Sequence, residues 1–291
     1  MKSSTSLLTA IVLMAVPAAA ADVDSIYQAP VSQADVYSEP VDVIALDAMA
    51  APSREAQLGA GLYRHGKKIF RAVSDTPVAF SVSGSTVGFA DTDGSGRVRL
   101  SFQVGQSTGQ YLISAGLLGG DLFKGSTGYA LLAVVSQNAP LLLVDFDSAL
   151  FGGISGKFDF AGVQRLKPLA NAAEALNALQ EKYQVVYLTE YEVRDLPKIR
   201  RWIHHWKMPK APILFWDRGE KVLKNDDWKV RELARFLKQW GGVRAAVGGS
   251  SSSLYAFRSN NLKTAAIRSK WTREPGTLSD WRDVQAKIES Q

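Results

Sequence analysis

The residues best placed to do chemistry are two acids separated by one residue. Leu141-Leu142-Leu143-Val144 is a wholly apolar run, and Asp145-Phe146-Asp147 follows it directly. If that run is a buried strand, both carboxylates stand at the rim of a sheet, where ligands of open parallel sheets bind. Burying acids there costs several kcal/mol unless they are paired or hold a cation. A turn in which each Asp caps local backbone gives the same spacing, so spacing alone leaves both readings open. A second apolar run, Val185-Val186-Tyr187-Leu188, ends in Thr189, a hydroxyl at an equivalent strand end. Other clusters offer less. His204 and His205 are adjacent, point to different faces and cannot chelate one ion. Asp91-Thr92-Asp93-Gly94-Ser95-Gly96 lacks the third acid and the distant Glu of a calcium loop, and reads as a β-turn. There is no cysteine, which excludes disulfides, thiolate metal sites and a cysteine nucleophile.

The elements around these residues divide the chain. Val78–Val82 and Val98–Phe102 alternate apolar and polar at period two, and Gln110–Ile113 and Tyr129–Val135 add further apolar runs. No helical stretch interrupts them, so residues 61–138 predict a small antiparallel β-sandwich of the immunoglobulin or transthyretin type. After Pro140 strands alternate with helices. Strands are expected at Leu141–Asp145, Gln184–Leu188, Ile213–Trp216, Val243–Val247 and Thr264–Ile267. Helices are expected over 168–182, up to Trp206, over 229–240, and at the C-terminus (276–291) behind a Ser279 cap. Such alternation predicts right-handed βαβ units, hence a parallel sheet with helices on both faces over 139–275.

The front of the chain differs. Lys2, the apolar run Leu7–Val16 and the small residues Ala18 and Ala20 read as a signal peptide over 1–21, so the mature protein is expected to be exported, periplasmic or secreted. Residues 22–60 are Pro- and Ala-rich; residues 21–60 hold seven acids against one arginine, Arg54. This reads as an acidic leader or linker. The whole chain carries +6, a charge that tolerates anionic partners without requiring one. Between Lys198 and Lys210 a basic run shares a helix with the apolar stripe Leu196, Ile199, Ile203 and Trp206. Its outer face reads as solvated, with an anionic membrane surface as the alternative partner. Nucleic acid is not expected.

The ordered set over residues 139–270 resembles the haloacid-dehalogenase (HAD) superfamily, and within it the lipin/Nir-type phosphatidate-phosphatase-like branch. Asp145-Phe146-Asp147-Ser148-Ala149 follows the two acids of the family's DxDGT motif. Thr189 matches the Thr or Ser of its second motif, with Trp202 and Pro209 matching downstream. Lys229-Val230-Arg231-Glu232-Leu233 is similar to its KxxxL helix start, and Tyr255-Ala256-Phe257 to its YAY. The resemblance implies a Rossmannoid HAD-like sheet and phosphomonoester hydrolysis through an aspartyl-phosphate. Asp145 would then be the nucleophile and Asp147 the general acid and base. Thr189 and Lys229 would bind the phosphate, and Mg²⁺ would sit on Asp145 and Asp147. A phosphorylated small molecule or a phospholipid headgroup is the implied partner.

The departures from the family pattern are equally specific. Its fourth motif supplies another metal-ligating acid, but here the segment is Gly248-Gly249-Ser250-Ser251-Ser252-Ser253. Ser253 occupies the acid's place, and no acid lies between Trp240 and Asn261. Glu190-Tyr191 replaces the Gly-Arg that follows the family's Thr, and Ala149 replaces the Thr of its first motif. Two function classes therefore stand side by side: a Mg²⁺-dependent phosphatase, and a catalytically silent HAD-like domain that binds a phosphorylated ligand or envelope partner. The Ser250–Ser253 stretch itself reads as a flexible loop, with an anion-binding helix start as the alternative.

Overall fold

A computed structural model describes residues 26–27, 41–65, 70–118, 126–151, 166–216, 227–269, 272 and 274–290. The expected signal peptide and all of the leader before Val41 except Ile26 and Tyr27 lie outside them. Among the described residues no helix is long and apolar enough to cross a membrane.

Strands begin earlier than expected. β1 (Val41–Leu46), β2 (Ala48–Ala50), β3 (Glu55–His65), β4 (Phe70–Ala72), β5 (Pro77–Val82), β6 (Ser85–Asp91), β7 (Arg97–Gln103), β8 (Gly109–Leu117) and β9 (Gly128–Val134) make two sheets. In one, β3 is central, with β1, β4 and β7 antiparallel to it. The other runs β2-β9-β8-β5-β6, antiparallel except for β2 beside β9. Alternate residues of both sheets, among them Leu58, Leu62, Phe80, Val98, Ile113 and Leu132, fill one shared core. The antiparallel sandwich is thus present, but it starts at Val41. The leader reading of residues 22–60 is corrected accordingly. Small inward residues conceal the alternation in this stretch: Ala56 and Ala60 are fully buried in β3, and short side chains weaken a period-two signal. Ile26 and Tyr27, from the same segment, are also buried.

The second half is built on five parallel strands: β10 (Leu141–Asp145), β11 (Gln184–Thr189), β12 (Ile213–Phe215), β13 (Val243–Gly248) and β14 (Lys263–Ala266). Their order is β12-β11-β10-β13-β14. Between and after them run α1 (Phe146–Ala149), α2 (Ala172–Leu179), α3 (Leu196–His205), α4 (Asp227–Gln239), α5 (Ser251–Ser259) and α6 (Trp281–Glu289). β10 is buried on both faces, which is why it reads as an unbroken apolar run. Leu142 and Val144 pack with α2, α3 and α6, whereas Leu141 and Leu143 pack with α4 and α5. Helices therefore cover both faces of the sheet. The last helix is capped by Asp280, which accepts from Arg282 N at 2.8 Å, rather than by Ser279 as expected.

The two halves share buried contacts. Arg200 of α3 reaches the sandwich and donates to Asp47 Oδ1 at 2.6 Å, Tyr129 O at 2.5 Å and Ala45 O at 3.1 Å. Asp47 in turn accepts from Leu131 N and Ile213 N. Arg200 is 4% exposed, so it leaves the basic run that was expected to face solvent, while His204 and His205 are exposed as expected. Its guanidinium can bond backbone carbonyls and a carboxylate together, which a solvated lysine would not do at this depth.

Candidate functional site

Strand β10 lies at the centre of the sheet, where connections leave toward both edges, and crevices open at the carboxyl ends of strands at such a point. Asp145 closes β10 and is 3% exposed. The chain then turns at once into the four-residue helix α1, so Asp147 stands two positions beyond the end of the strand. Phe146 between them anchors the turn, with its ring edge-on to Tyr187 and Trp202 at centroid distances of 6.0 and 5.4 Å. The local-capping alternative accounts for part of the geometry only: Ser148 Oγ donates to Asp145 Oδ2 at 2.5 Å, but Ser250 Oγ, from the start of α5, also lies 3.3 Å from the same oxygen.

Asp147 is held by the neighbouring strand. Thr189 Oγ1 donates to Asp147 Oδ1 at 2.6 Å, and Glu190 N donates to Oδ2 at 2.6 Å. Burial, followed by the charge of Asp145, pushes the Asp147 carboxyl up to about 8 against these two hydrogen bonds. A carboxyl raised in this way holds its proton to higher pH than a free one does and can donate it.

Lys229 enters from the first turn of α4 and is 2% exposed. Its ammonium lies 5.4 Å from the centre of the Trp216 ring and 5.8 Å from that of Trp228. It donates to Ser252 Oγ at 3.1 Å and Ser253 Oγ at 3.0 Å, and forms an ion pair with Glu190 Oε1. A lysine ammonium has three donors, so these three acceptors occupy all of them. The chain from Gly249 to Ser253 links Lys229 back to Asp145: Ser250 Oγ lies 3.0 Å from Ser253 Oγ and 3.3 Å from Asp145 Oδ2, within reach of either for its single proton. Asp145, Asp147, Thr189 and Lys229 thus belong to one hydrogen-bonded cluster, with Lys229 joined to Asp145 through Ser253 and Ser250.

The serine stretch corrects the flexible-loop reading. Ser250 caps α5, its side chain accepting from Ser253 N, and a Ser at this position satisfies an otherwise orphaned amide. Gly249 lets this start pack against α1, since a Cβ there would run into the carbonyl of Ser148. Its own carbonyl accepts from Ser269 and Thr272, and its amide donates to Ser148 Oγ. Gly249→Ala should therefore destabilise by about 1–3 kcal/mol through backbone displacement. Gly94→Ala, where a Cβ meets nothing within 4 Å, should stay within about 0.5 kcal/mol. Urea unfolding of both variants checks the contrast.

Magnesium takes near-octahedral oxygen ligation and is usually held by one or two carboxylates together with waters. Among the described residues no three His, Asp or Glu side chains gather as a metal-holding group. Both Asp147 oxygens already accept hydrogen bonds, and Ser253, fully buried, presents its hydroxyl to the Lys229 ammonium. A cation therefore faces the position at which the resemblance places a third acid. These residues offer Mg²⁺ fewer free carboxylate oxygens than the resemblance implies.

Three neighbours of Lys229 were not legible as such in the sequence: Glu190, which stood out only as a departure from the family pattern, and the indoles of Trp216 and Trp228. The Trp228-Lys229 adjacency was the available signal.

No protein-family model and no curated protein matches the chain. Among solved structures it is similar to the CARDB domain of PF1109 from Pyrococcus furiosus, at 15% identity over 35% of this chain and 95% of that one, with a TM-score of 0.24. It is similar to fibronectin(III)-like modules of Clostridium thermocellum CbhA, at 16% identity over 33% and 96%, TM-score 0.22. It is also similar to XAC1771, a carbohydrate acetylesterase from Xanthomonas citri, at 10% identity over 82% and 71%, TM-score 0.33. At these TM-scores the likenesses carry no argument about this chain's fold family or activity.

Proposed function

We propose that residues 139–275 form an HAD-like domain that recognises a phosphorylated ligand without hydrolysing it, in a protein exported to the periplasm or beyond. Support for the HAD-like reading is the placement of residues on the sheet. Asp145 ends the central strand, Thr189 ends its neighbour, Lys229 opens the helix before β13, and Ser253 opens the helix after it. The observation that carries the silent reading is Ser253, buried and bonded to Lys229, where hydrolysis by this chemistry needs a metal-ligating carboxylate. Support for ligand binding is Lys229 itself. A buried ammonium costs several kcal/mol unless its partners are well placed, and this one lies near the strand ends beside two indole rings that pack edge to face. A phosphomonoester, free or as a lipid headgroup, is the ligand class.

The test is direct. Purified protein lacking residues 1–21 is incubated with a generic aryl phosphate and Mg²⁺ beside its Asp145→Asn variant. Phosphate release should equal the variant's background. Release well above that background would establish the rival reading, Mg²⁺-dependent hydrolysis through Asp145.

A further inference from the structure

The charged partner of Lys229 in this cluster comes from the protein itself. Glu190 follows Thr189 directly, and its backbone is fixed because its amide donates to Asp147 Oδ2. Its side chain is the looser part: it is 33% exposed, whereas that of Lys229 is 2% exposed. The carboxylate thus leans over the rim from the solvent side and closes the ion pair with an ammonium that the indoles and serines hold from beneath. With the three ammonium donors occupied, an incoming oxyanion has none to take until one acceptor leaves. The two serines are tied into the start of α5, and Ser253 is bonded to Ser250 as well. Glu190 is the acceptor that can swing out without disturbing a helix cap.

We propose that Glu190 is a resident anion of this site, and that a phosphomonoester binds by displacing its carboxylate from Lys229. The inference rests on the phosphate-recognition reading above and adds to it the group that regulates entry. It gives the replacement of a glycine by Glu190 a physical consequence. A dianionic phosphate offers more charge than one carboxylate and enough oxygens for Lys229, Ser252 and the site hydroxyls together, so exchange is favourable only for a ligand of that class. A monocarboxylate offers no such advantage.

Calorimetric titration of the full mature chain with inorganic phosphate tests this. The wild type should bind weakly. Glu190→Gln, which keeps the shape and removes the charge, should bind at least about tenfold tighter because a buried ammonium then lacks its counter-charge. The double variant Glu190→Gln with Lys229→Met should lose the gain. Glu190→Ala provides a second opening of the site, and circular dichroism melts establish which variants are folded. Glycerol phosphate in solution and phosphatidate in phosphatidylcholine vesicles serve as two further titrants. A gain on the first identifies a soluble ester, and a gain confined to the vesicles identifies a lipid headgroup; either supports displacement. Folded Glu190→Gln and Glu190→Ala variants that bind phosphate no tighter than wild type overturn it. Turnover of aryl phosphate by the wild type would instead remove the silent reading and leave the displacement result standing, so the two failures are distinct.

Discussion

Replacing Arg200 with methionine should cost the protein about 3–5 kcal/mol, enough to unfold much of it at physiological temperature. The substitution keeps most of the side-chain volume and removes the charge. It leaves Asp47, whose side chain is 1% exposed, as a buried carboxylate whose remaining donors are two backbone amides, Leu131 N and Ile213 N. It also removes the donors to Tyr129 O and Ala45 O. The effect should exceed that of any surface change on α3. His204→Ala, at an exposed position one turn on, should stay within about 0.5 kcal/mol. Adding Asp47→Asn to Arg200→Met should restore part of the loss, because the stranded charge goes with it. A double-mutant cycle in urea should return a coupling of 1 kcal/mol or more. A cycle near zero would mean that the two halves do not depend on this pair.

The second large effect is on the pH dependence of stability. Asp147 titrates near its ordinary value of 3.8 when unfolded and at about 8 when folded, because burial and the neighbouring Asp145 disfavour its charge. The folded state therefore binds this proton more tightly than the unfolded state does. Its contribution is fully present below pH 4 and is lost as the pH rises toward 8, at up to about 1.4 kcal/mol per pH unit. In chelator-containing buffer the urea midpoint of the wild type should fall between pH 5 and 8. Asp147→Asn cannot ionise, so it should flatten the slope and be the more stable protein at pH 8. Comparing the two removes contributions from other acids, including Asp195, which burial also raises. Parallel slopes would show that Asp147 is charged in the folded protein and would remove it as a neutral-pH acid.

The parallel half of the fold was legible because its central strand is apolar on both faces. Leu141–Asp145 announces itself without reference to any partner, and each later strand is bracketed by a periodic helix. Residues 41–60 were not legible for an equally physical reason. β3 turns Ala56, Leu58, Ala60 and Leu62 inward and alternates them with Gln57 and two glycines, so little hydrophobic contrast remains. Asp47 was counted among the charges of an acidic leader, yet it is buried against an arginine 153 positions away. No local pattern carries a pairing of that range. At the candidate site, the residue types and strand-end positions of Asp145, Asp147, Thr189 and Lys229 could be read, but their bonding could not. The clearest case is Glu190. In the sequence it is a substitution beside a threonine, while in three dimensions it neutralises the buried lysine.

Calorimetric titration of the wild-type protein with Mg²⁺ at neutral pH goes furthest toward deciding whether this rim handles phosphate without a metal. With Ser253 turned to Lys229 and both Asp147 oxygens engaged, no saturable heat should appear in the sub-millimolar range. A sub-millimolar isotherm that vanishes in Asp145→Asn would contradict the account and return the site to metal-dependent hydrolysis.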